Sequence, residues 1–94
     1  MELQELKDYL KITWDEENTS LESVILSGQS FLEDIAGVKL NFVEDLSSKQ
    51  LLKDYCRYAY NHSLEHFEVN FKRELLKMSL REAVKLREAT TSDV

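Results

Sequence analysis

The stretch LESVILSGQSFLEDIAG, residues 21–37, decides the fold class of this chain. Its apolar residues recur at the i, i+3, i+4, i+7 spacing of an amphipathic helix, and the stripe consists of Leu21, Val24, Ile25, Phe31, Leu32 and Ile35. Gly37 stands where a C-terminal cap belongs, because glycine accepts the left-handed conformation that ends many helices. The pattern predicts a helix over about residues 16–36, and either Thr13 or Asp15 is placed to cap its start.

Gly28 lies on the same apolar stripe. A residue without a side chain lets a second helix approach closely, although it costs about 1 kcal/mol of helix propensity relative to alanine. We therefore expect Gly28 to mark a close contact between two helices rather than a hinge.

Short segments on both sides of this helix are also predictable. Leu3, Leu6 and Leu10 recur at helical spacing and predict a short first helix over about residues 2–10. Residues 38–45 alternate apolar and polar side chains too briefly to build a sheet, so we expect an extended connector there.

Two longer helices follow the connector. Ser47 or Ser48 can cap a third helix that runs to about Phe67, and its predicted inward side is formed by Leu51, Leu52, Tyr55, Cys56, Ala59 and Ser63. Asn70 can cap a fourth helix from Phe71 to about residue 89, after which residues 90–94 are predicted to fray. Since the 94 residues include 0 Pro and 2 Gly, the sequence predicts one all-α domain, a compact bundle of about four helices spanning residues 1–94.

Charge is distributed unevenly along the chain. The formal net charge is −6, but residues 1–70 carry a net −8 whereas residues 71–89 carry a net +3. An acidic protein is a poor general binder of nucleic acid, because such binders neutralise phosphates with Lys and Arg. No stretch approaches the roughly 20 apolar residues that span a bilayer, and a lone Cys56 fits a reducing compartment. We therefore expect a cytoplasmic protein that makes no membrane contact.

The basic residues of the fourth helix repeat every four positions and line one face: Arg73, Lys77, Arg81 and Lys85. Like charges at this spacing cost a few tenths of a kcal/mol per pair. Two interpretations stay open. The face is solvated, with Glu74–Lys77 and Glu82–Lys85 pairs offsetting the repulsion; or it docks, with an adjoining stripe, into an acidic, apolar-lined surface of a partner. The stripe consists of Leu76, Leu80, Ala83, Val84 and Arg87.

Three tyrosines point around more than half of the third helix: Tyr55, Tyr58 and Tyr60. They cannot all face one core, so at least one should be exposed or lie in a contact. Large aromatic rings are enriched at protein interfaces, which makes these three residues candidates for a subunit interface.

One motif suggests chemistry. His62, Glu65 and His66 match H-x-x-E-H, the inverted zinc-peptidase pattern, in which two histidines one helical turn apart hold zinc. Catalytic zinc needs a third protein ligand, and the remaining chain offers only carboxylates interleaved with Lys and Arg. Adventitious metal binding by the two histidines and Cys56 stays open. No other nucleophile and base are paired, so we expect no catalytic residues, no cofactor and no resident metal.

The order of these segments resembles the head-tail connector, or head-completion adaptor, family of long-tailed bacteriophages and prophages. The matching residues are Leu3-x-x-Leu6-x-x-Tyr9-Leu10-Lys11-Ile12, the acidic run Asp15-Glu16-Glu17, Leu21-x-x-Val24-Ile25 through Phe31-Leu32-Glu33 to Gly37, and Tyr58-x-Tyr60-Asn61-His62. The plain connector over residues 38–45 departs from the family pattern.

The resemblance implies a structural protein that acts without catalysis. Many copies would form a ring under the portal protein, continue the DNA channel without binding DNA specifically, and present a lower face to the next head-completion or tail protein. Isolated subunits could be monomeric until the portal templates the ring. It also implies that the C-terminal segment reaches the portal, and that the protein lies in the bacterial host cytoplasm during assembly and then at the head-tail junction of the virion. The alternative is a small helical DNA-binding regulator that uses the basic C-terminal helix for recognition.

Overall fold

Helices account for most of residues 1–91, the part of the chain that the computed structural model describes; side chains are described to Glu88. The helices are α1 (Leu3–Leu10), α2 (Asn18–Ala36), α3 (Leu46–Tyr60), α4 (Phe67–Asn70) and α5 (Lys72–Thr91), with a 3₁₀ turn over Leu64–His66. No strand occurs in this part of the chain, so the predicted all-α bundle is confirmed. Residues 90 and 91, which were predicted to fray, belong to α5; residues 92–94 of that predicted end lie outside the described residues.

Helix α2 lies at the centre of the bundle, where it contacts α1, α3 and α5. Its buried positions are Leu21, Ile25, Gly28, Leu32 and Ala36, which follow the predicted stripe. Gly28 meets α3 closely, because a Cβ atom added there would lie 2.7 Å from both Leu52 Cδ1 and Tyr55 Cδ1. The predicted close contact between helices is thus present at this glycine.

The short helix α1 is fixed to the bundle by side chains of α3. The Tyr9 hydroxyl donates to Asp54 at 2.8 Å, and Lys49 forms an ion pair with Glu5 at 3.0 Å that lowers the pKa of the Glu5 carboxyl. Lys11 takes the left-handed conformation, φ 62°, and ends the helix so that Ile12 enters the core. Contacts with the bundle compensate for the low intrinsic stability of a single eight-residue helix.

A buried lysine fixes the start of α2. Lys7 is only 5% exposed, and its ammonium donates to Asp15 at 2.7 Å and to Asn18 at 2.8 Å. The hydrogen bond from Lys7 lowers the pKa of the Asp15 carboxyl. Helix α2 begins at Asn18, two residues later than expected, and its N-cap residue Glu17 makes no side-chain capping bond. The predicted caps Thr13 and Asp15 were therefore wrong; the Asp15 carboxylate is bound to Lys7 instead.

The connector between α2 and α3 packs on the core, but it is not extended throughout as predicted. Residues 42–44 form a turn, and the Asp45 N–H bonds to the Asn41 carbonyl at 3.0 Å. Gly37 ends α2 at φ 76°, with its N–H bonded to the Glu33 carbonyl at 2.8 Å, which confirms the predicted cap. The Glu33 carboxylate accepts from the Leu40 N–H at 2.9 Å, and Phe42 is buried. The connector thus covers one end of the bundle.

Asp45 caps α3, and neither of the predicted serines does. Its carboxylate accepts from the N–H groups of Ser47 and Ser48 at 3.1 and 3.3 Å, and the Ser48 hydroxyl donates to it at 2.8 Å. Burial raises the pKa of Asp45, but the bonds from Ser48 and the charge of Arg81 outweigh burial and lower it overall. Asp45 lies two positions before Ser47, so its carboxylate reaches the free N–H groups at the helix start and adds a favourable charge there.

Helix α3 ends at Tyr60, seven residues before the predicted end. His62 adopts φ 57°, and two bonds close the turn: His62 N–H to the Ala59 carbonyl at 3.1 Å and Ser63 N–H to the Tyr58 carbonyl at 2.8 Å. This bond pattern is a Schellman motif, with histidine at the position that usually holds glycine. Because no glycine or proline marks the site, the sequence pattern predicted a continuous helix where the chain turns.

Candidate protein-docking surface

Helix α5 uses only one side for the core. Leu75, Met78 and Glu82 are its buried residues and lie at i, i+3 and i+7. Four large apolar side chains face solvent at 50–58% exposure: Leu76, Leu80, Val84 and Leu86. Isolated exposed apolar residues are ordinary, but three of these repeat every four positions and so form a continuous row. This row is the predicted docking stripe, and the structure leaves it uncovered.

The C-terminal half of α5 extends away from the bundle. Every described side chain from Ala83 to Glu88 is exposed, and Glu82 is the last buried residue among the described side chains of the helix. We call residues 83–91 the distal arm; at 1.5 Å per residue it is about 13 Å long. The principal extents of the chain, 53 × 25 × 17 Å, agree with such a projection. An exposed helix segment with spaced apolar residues is suited to a partner groove.

The four residues of the basic face of α5 differ in their surroundings. Arg81 forms ion pairs with Asp45 and Glu82, both at 3.3 Å, and Lys85 pairs with Glu82 at 3.2 Å. Arg73 and Lys77 are exposed, and neither forms an ion pair with another described side chain. The expected pair between Glu82 and Lys85 is therefore confirmed, whereas Lys77 has no such contact with Glu74. A partner can form ion pairs with Arg73 and Lys77 without breaking an ion pair between described side chains of this chain.

Glu82 connects this charge cluster to the core. It is 8% exposed, and its carboxylate lies between Arg81 and Lys85. A buried carboxylate that loses its partner cations becomes strongly unfavourable. Arg81 and Lys85 thus have a structural role beside any role in docking.

An open groove of about 430 Å³ runs between α3 and α5. Leu46, Leu51, Phe71 and Met78 line it, together with polar side chains. Two ionisable residues on its walls already have partners, since Asp54 accepts from Tyr9 and Arg81 pairs with Asp45. The groove offers apolar contact area and no paired nucleophile and base.

The three tyrosines that we predicted as interface candidates are used differently. Tyr55 is 9% exposed and belongs to the core, so it offers almost no area to a neighbour. Tyr58 and Tyr60 are half-buried; the Tyr58 hydroxyl accepts from Asn70 at 3.0 Å, and the Tyr60 hydroxyl donates to Glu17 at 2.9 Å. Interface use of Tyr58 and Tyr60 stays a prediction. Asn70 was expected to cap the fourth helix, but it is the last residue of α4, and its side-chain amide donates to Tyr58 instead.

The residue at the centre of the aromatic core is Phe67, which the sequence pattern did not predict there. Phe67 is 1% exposed, and its ring lies 4.9–6.0 Å from four others: Phe31, Tyr55, Tyr58 and Phe71. We placed Phe67 at the end of a helix; it begins α4 instead, after the turn at His62 has reversed the chain. Its size and its place among polar residues are the only signals in the sequence.

The histidine motif does not form a metal site on a helix. His62 lies in the turn and His66 in the 3₁₀ segment, so the two are no longer one α-helical turn apart on a common face. Within residues 1–91, no group of three or more His, Cys, Asp or Glu side chains is arranged to hold a metal ion. Cys56 is fully buried, and burial raises the pKa of its thiol to about 12.

A second surface, which we did not predict, precedes α5. Leu64 and Val69 are exposed apolar residues, and Glu65 and Glu68 are exposed beside them. We call these four residues the acidic patch. Leu64, Glu65 and Glu68 line a hollow of about 300 Å³ together with the aromatic side chains Phe31, Tyr55 and Phe67.

None of the helices in the described part of the chain has the length and apolarity required to cross a membrane. Comparison with protein-family models, curated proteins and solved structures finds no significant match.

Proposed function

We propose that this protein is a phage or prophage structural protein without catalytic activity, a head-tail connector subunit that assembles as a ring under the portal. The observation that carries the proposal is the outer side of α5, where Leu76, Leu80 and Val84 form an exposed row next to two basic side chains without ion pairs. Such a row is stabilised when a second polypeptide covers it.

The distal arm is the part of α5 suited to the portal. Its described side chains are exposed, and the apolar ones include Val84 and Leu86. An amphipathic helix binds a partner by placing such residues, spaced along one side, into an apolar groove. The segment resemblance described above, in which the C-terminal segment reaches the portal, supports the same assignment.

The charge of the body suits a channel for DNA. The net charge is −6, and two of the four residues on the basic face of α5, Arg81 and Lys85, are neutralised by Asp45 and Glu82. An acidic lining repels phosphates weakly and lets DNA slide, whereas a binding surface would hold it. The same pairing argues against the alternative function, a DNA-binding regulator, because it leaves only Arg73 and Lys77 free on the basic face.

The decisive experiment mixes the purified protein with the cognate portal protein and measures complex formation by light scattering. We expect a large complex with the unchanged protein and at least about a tenfold weaker one with Val84→Asp, because a charge replaces an apolar contact. Leu26→Asp, at an exposed apolar position of α2, is the matched control and should leave binding unchanged.

Failure to associate with the portal at any salt concentration would overturn the proposal. A gel-shift series with random duplex DNA separates the alternative. The regulator should bind DNA with steep salt dependence, while the connector subunit should hardly bind it.

A further inference from the structure

The acidic patch and the outer side of α5 have complementary chemistry. Along α5, Leu76 and Leu80 are exposed apolar residues beside the exposed cations Arg73 and Lys77. The acidic patch carries the opposite charge next to its apolar residues, because Leu64 and Val69 lie beside the exposed carboxylates of Glu65 and Glu68. One surface is apolar with a basic edge, and the other is apolar with an acidic edge.

These two surfaces do not neutralise each other within one copy. Glu65 pairs with the adjacent His66 at 3.7 Å, and no ion pair joins Glu65 or Glu68 to Arg73 or Lys77 among the described side chains. Glu68, Arg73 and Lys77 therefore form no ion pair with another described side chain and remain available to another molecule.

The hollow beside the acidic patch gives the apolar residues of α5 a place to bind. Its floor is aromatic, formed by Phe31, Tyr55 and Phe67, and Glu65 and Glu68 stand at its edge. A volume of about 300 Å³ can receive a leucine side chain. A leucine entering from a neighbour would bring the cations of the same helix face against the two carboxylates.

We propose that the near half of the outer side of α5, residues 73–80, docks on the acidic patch and aromatic hollow of a second copy of this chain. The inference deepens the proposed function and rests on it, because it names the contact between neighbouring subunits. The two surfaces differ, so the contact is heterologous and can repeat from copy to copy until a ring closes. The distal arm lies beyond residue 80 and stays free for the portal.

Charge reversal on each surface tests the pairing by sedimentation velocity over a concentration series. We expect the unchanged protein to associate more strongly at low salt than at high salt. The variant Glu65→Lys with Glu68→Lys, and the variant Arg73→Glu with Lys77→Glu, should each weaken association at least about tenfold. Since all four side chains are exposed, circular dichroism should report an unchanged fold.

Recombining the reversed surfaces makes the test specific. A mixture of the two double variants should form a hetero-complex, because the basic patch of one then faces the acidic helix of the other. A single chain with all four substitutions should regain self-association. The matched control is Glu22→Lys with Asp34→Lys, which makes the same charge change on exposed positions of α2 and should leave association unchanged.

The inference is overturned if the unchanged protein remains monomeric up to its highest soluble concentration, if the control variant weakens association equally, or if recombination restores nothing. The outcome is independent of portal binding. A protein that binds the portal through Val84 yet never self-associates refutes this contact alone, whereas one that self-associates but ignores the portal refutes the proposed function alone.

Discussion

Replacing Gly28 with alanine tests the packing between α2 and α3 directly. The added Cβ would lie 2.7 Å from Leu52 Cδ1 and Tyr55 Cδ1, and ordinary contacts begin at 3.4 Å, so each side chain must retreat by about 0.7 Å. Neither can do so freely. Leu52 is fully buried, and the ring of Tyr55 is held between Phe31 and Phe67 at centroid distances of 5.3 and 5.5 Å.

The expected size follows from two opposing terms. Overpacking a core by one methyl group costs about 1–3 kcal/mol, while alanine regains about 1 kcal/mol of helix propensity over glycine. We expect Gly28→Ala to lower the free energy of unfolding by about 1 kcal/mol, which corresponds to roughly 4–8 °C in the melting temperature of a domain this size.

Denaturant unfolding followed by circular dichroism measures the change, and Ser27 supplies the control. Ser27 is exposed on the same helix, so the difference between Ser27→Ala and Ser27→Gly gives the propensity term without the steric one. If Gly28→Ala stabilises the protein by as much as that difference, then α3 does not press on Gly28 and our account of the α2–α3 contact is wrong.

Three further predictions concern the turn, the thiol and the carboxylates. His62→Gly should stabilise the protein by up to about 1 kcal/mol, because glycine adopts the left-handed conformation without the steric strain that histidine has there. His62→Ala should give no such stabilisation, and the melting temperatures of the two variants check the difference. The Cys56 thiol, with its pKa raised to about 12 by burial, should react with a disulfide reagent only at the rate of unfolding, and a fast native reaction would contradict its burial. Folding lowers the pKa values of Glu5, Asp15 and Asp45 from their unfolded values of 4.5, 3.8 and 3.8. The stabilisation from these three carboxylates is therefore present above the unfolded pKa values and is lost as the pH falls through the folded pKa values. Acid titration followed by circular dichroism should show this loss, and a flat profile down to about pH 2 would refute it.

Local periodicity predicted the helical fold and the docking stripe. The spacing within residues 21–37 predicted the buried side of α2, its end at Gly37 and the close contact at Gly28. The row Leu76, Leu80 and Val84 was also readable as a stripe. These features depend on residues three or four positions apart, which the geometry of a helix brings together whatever the rest of the chain does.

The outcome differs where residues distant in sequence decide the local conformation. The turn after helix α3 has His62 in the left-handed conformation, and the sequence has no glycine there that would have predicted the turn. The turn allows Phe67 to enter the aromatic core. The burial of Lys7 likewise depends on Asp15 and Asn18, which come after the turn that ends α1, and Arg81 pairs with Asp45 at the start of α3.

By itself, then, the sequence determined which segments are helical and which of their faces are apolar, because backbone periodicity and side-chain type are local properties. Only the tertiary structure decided where α3 stops, that Arg81 pairs with Asp45, and that the acidic patch lies beside an aromatic hollow. Each of these depends on the packing free energy of side chains far apart in the chain, which no pattern of neighbouring residues contains.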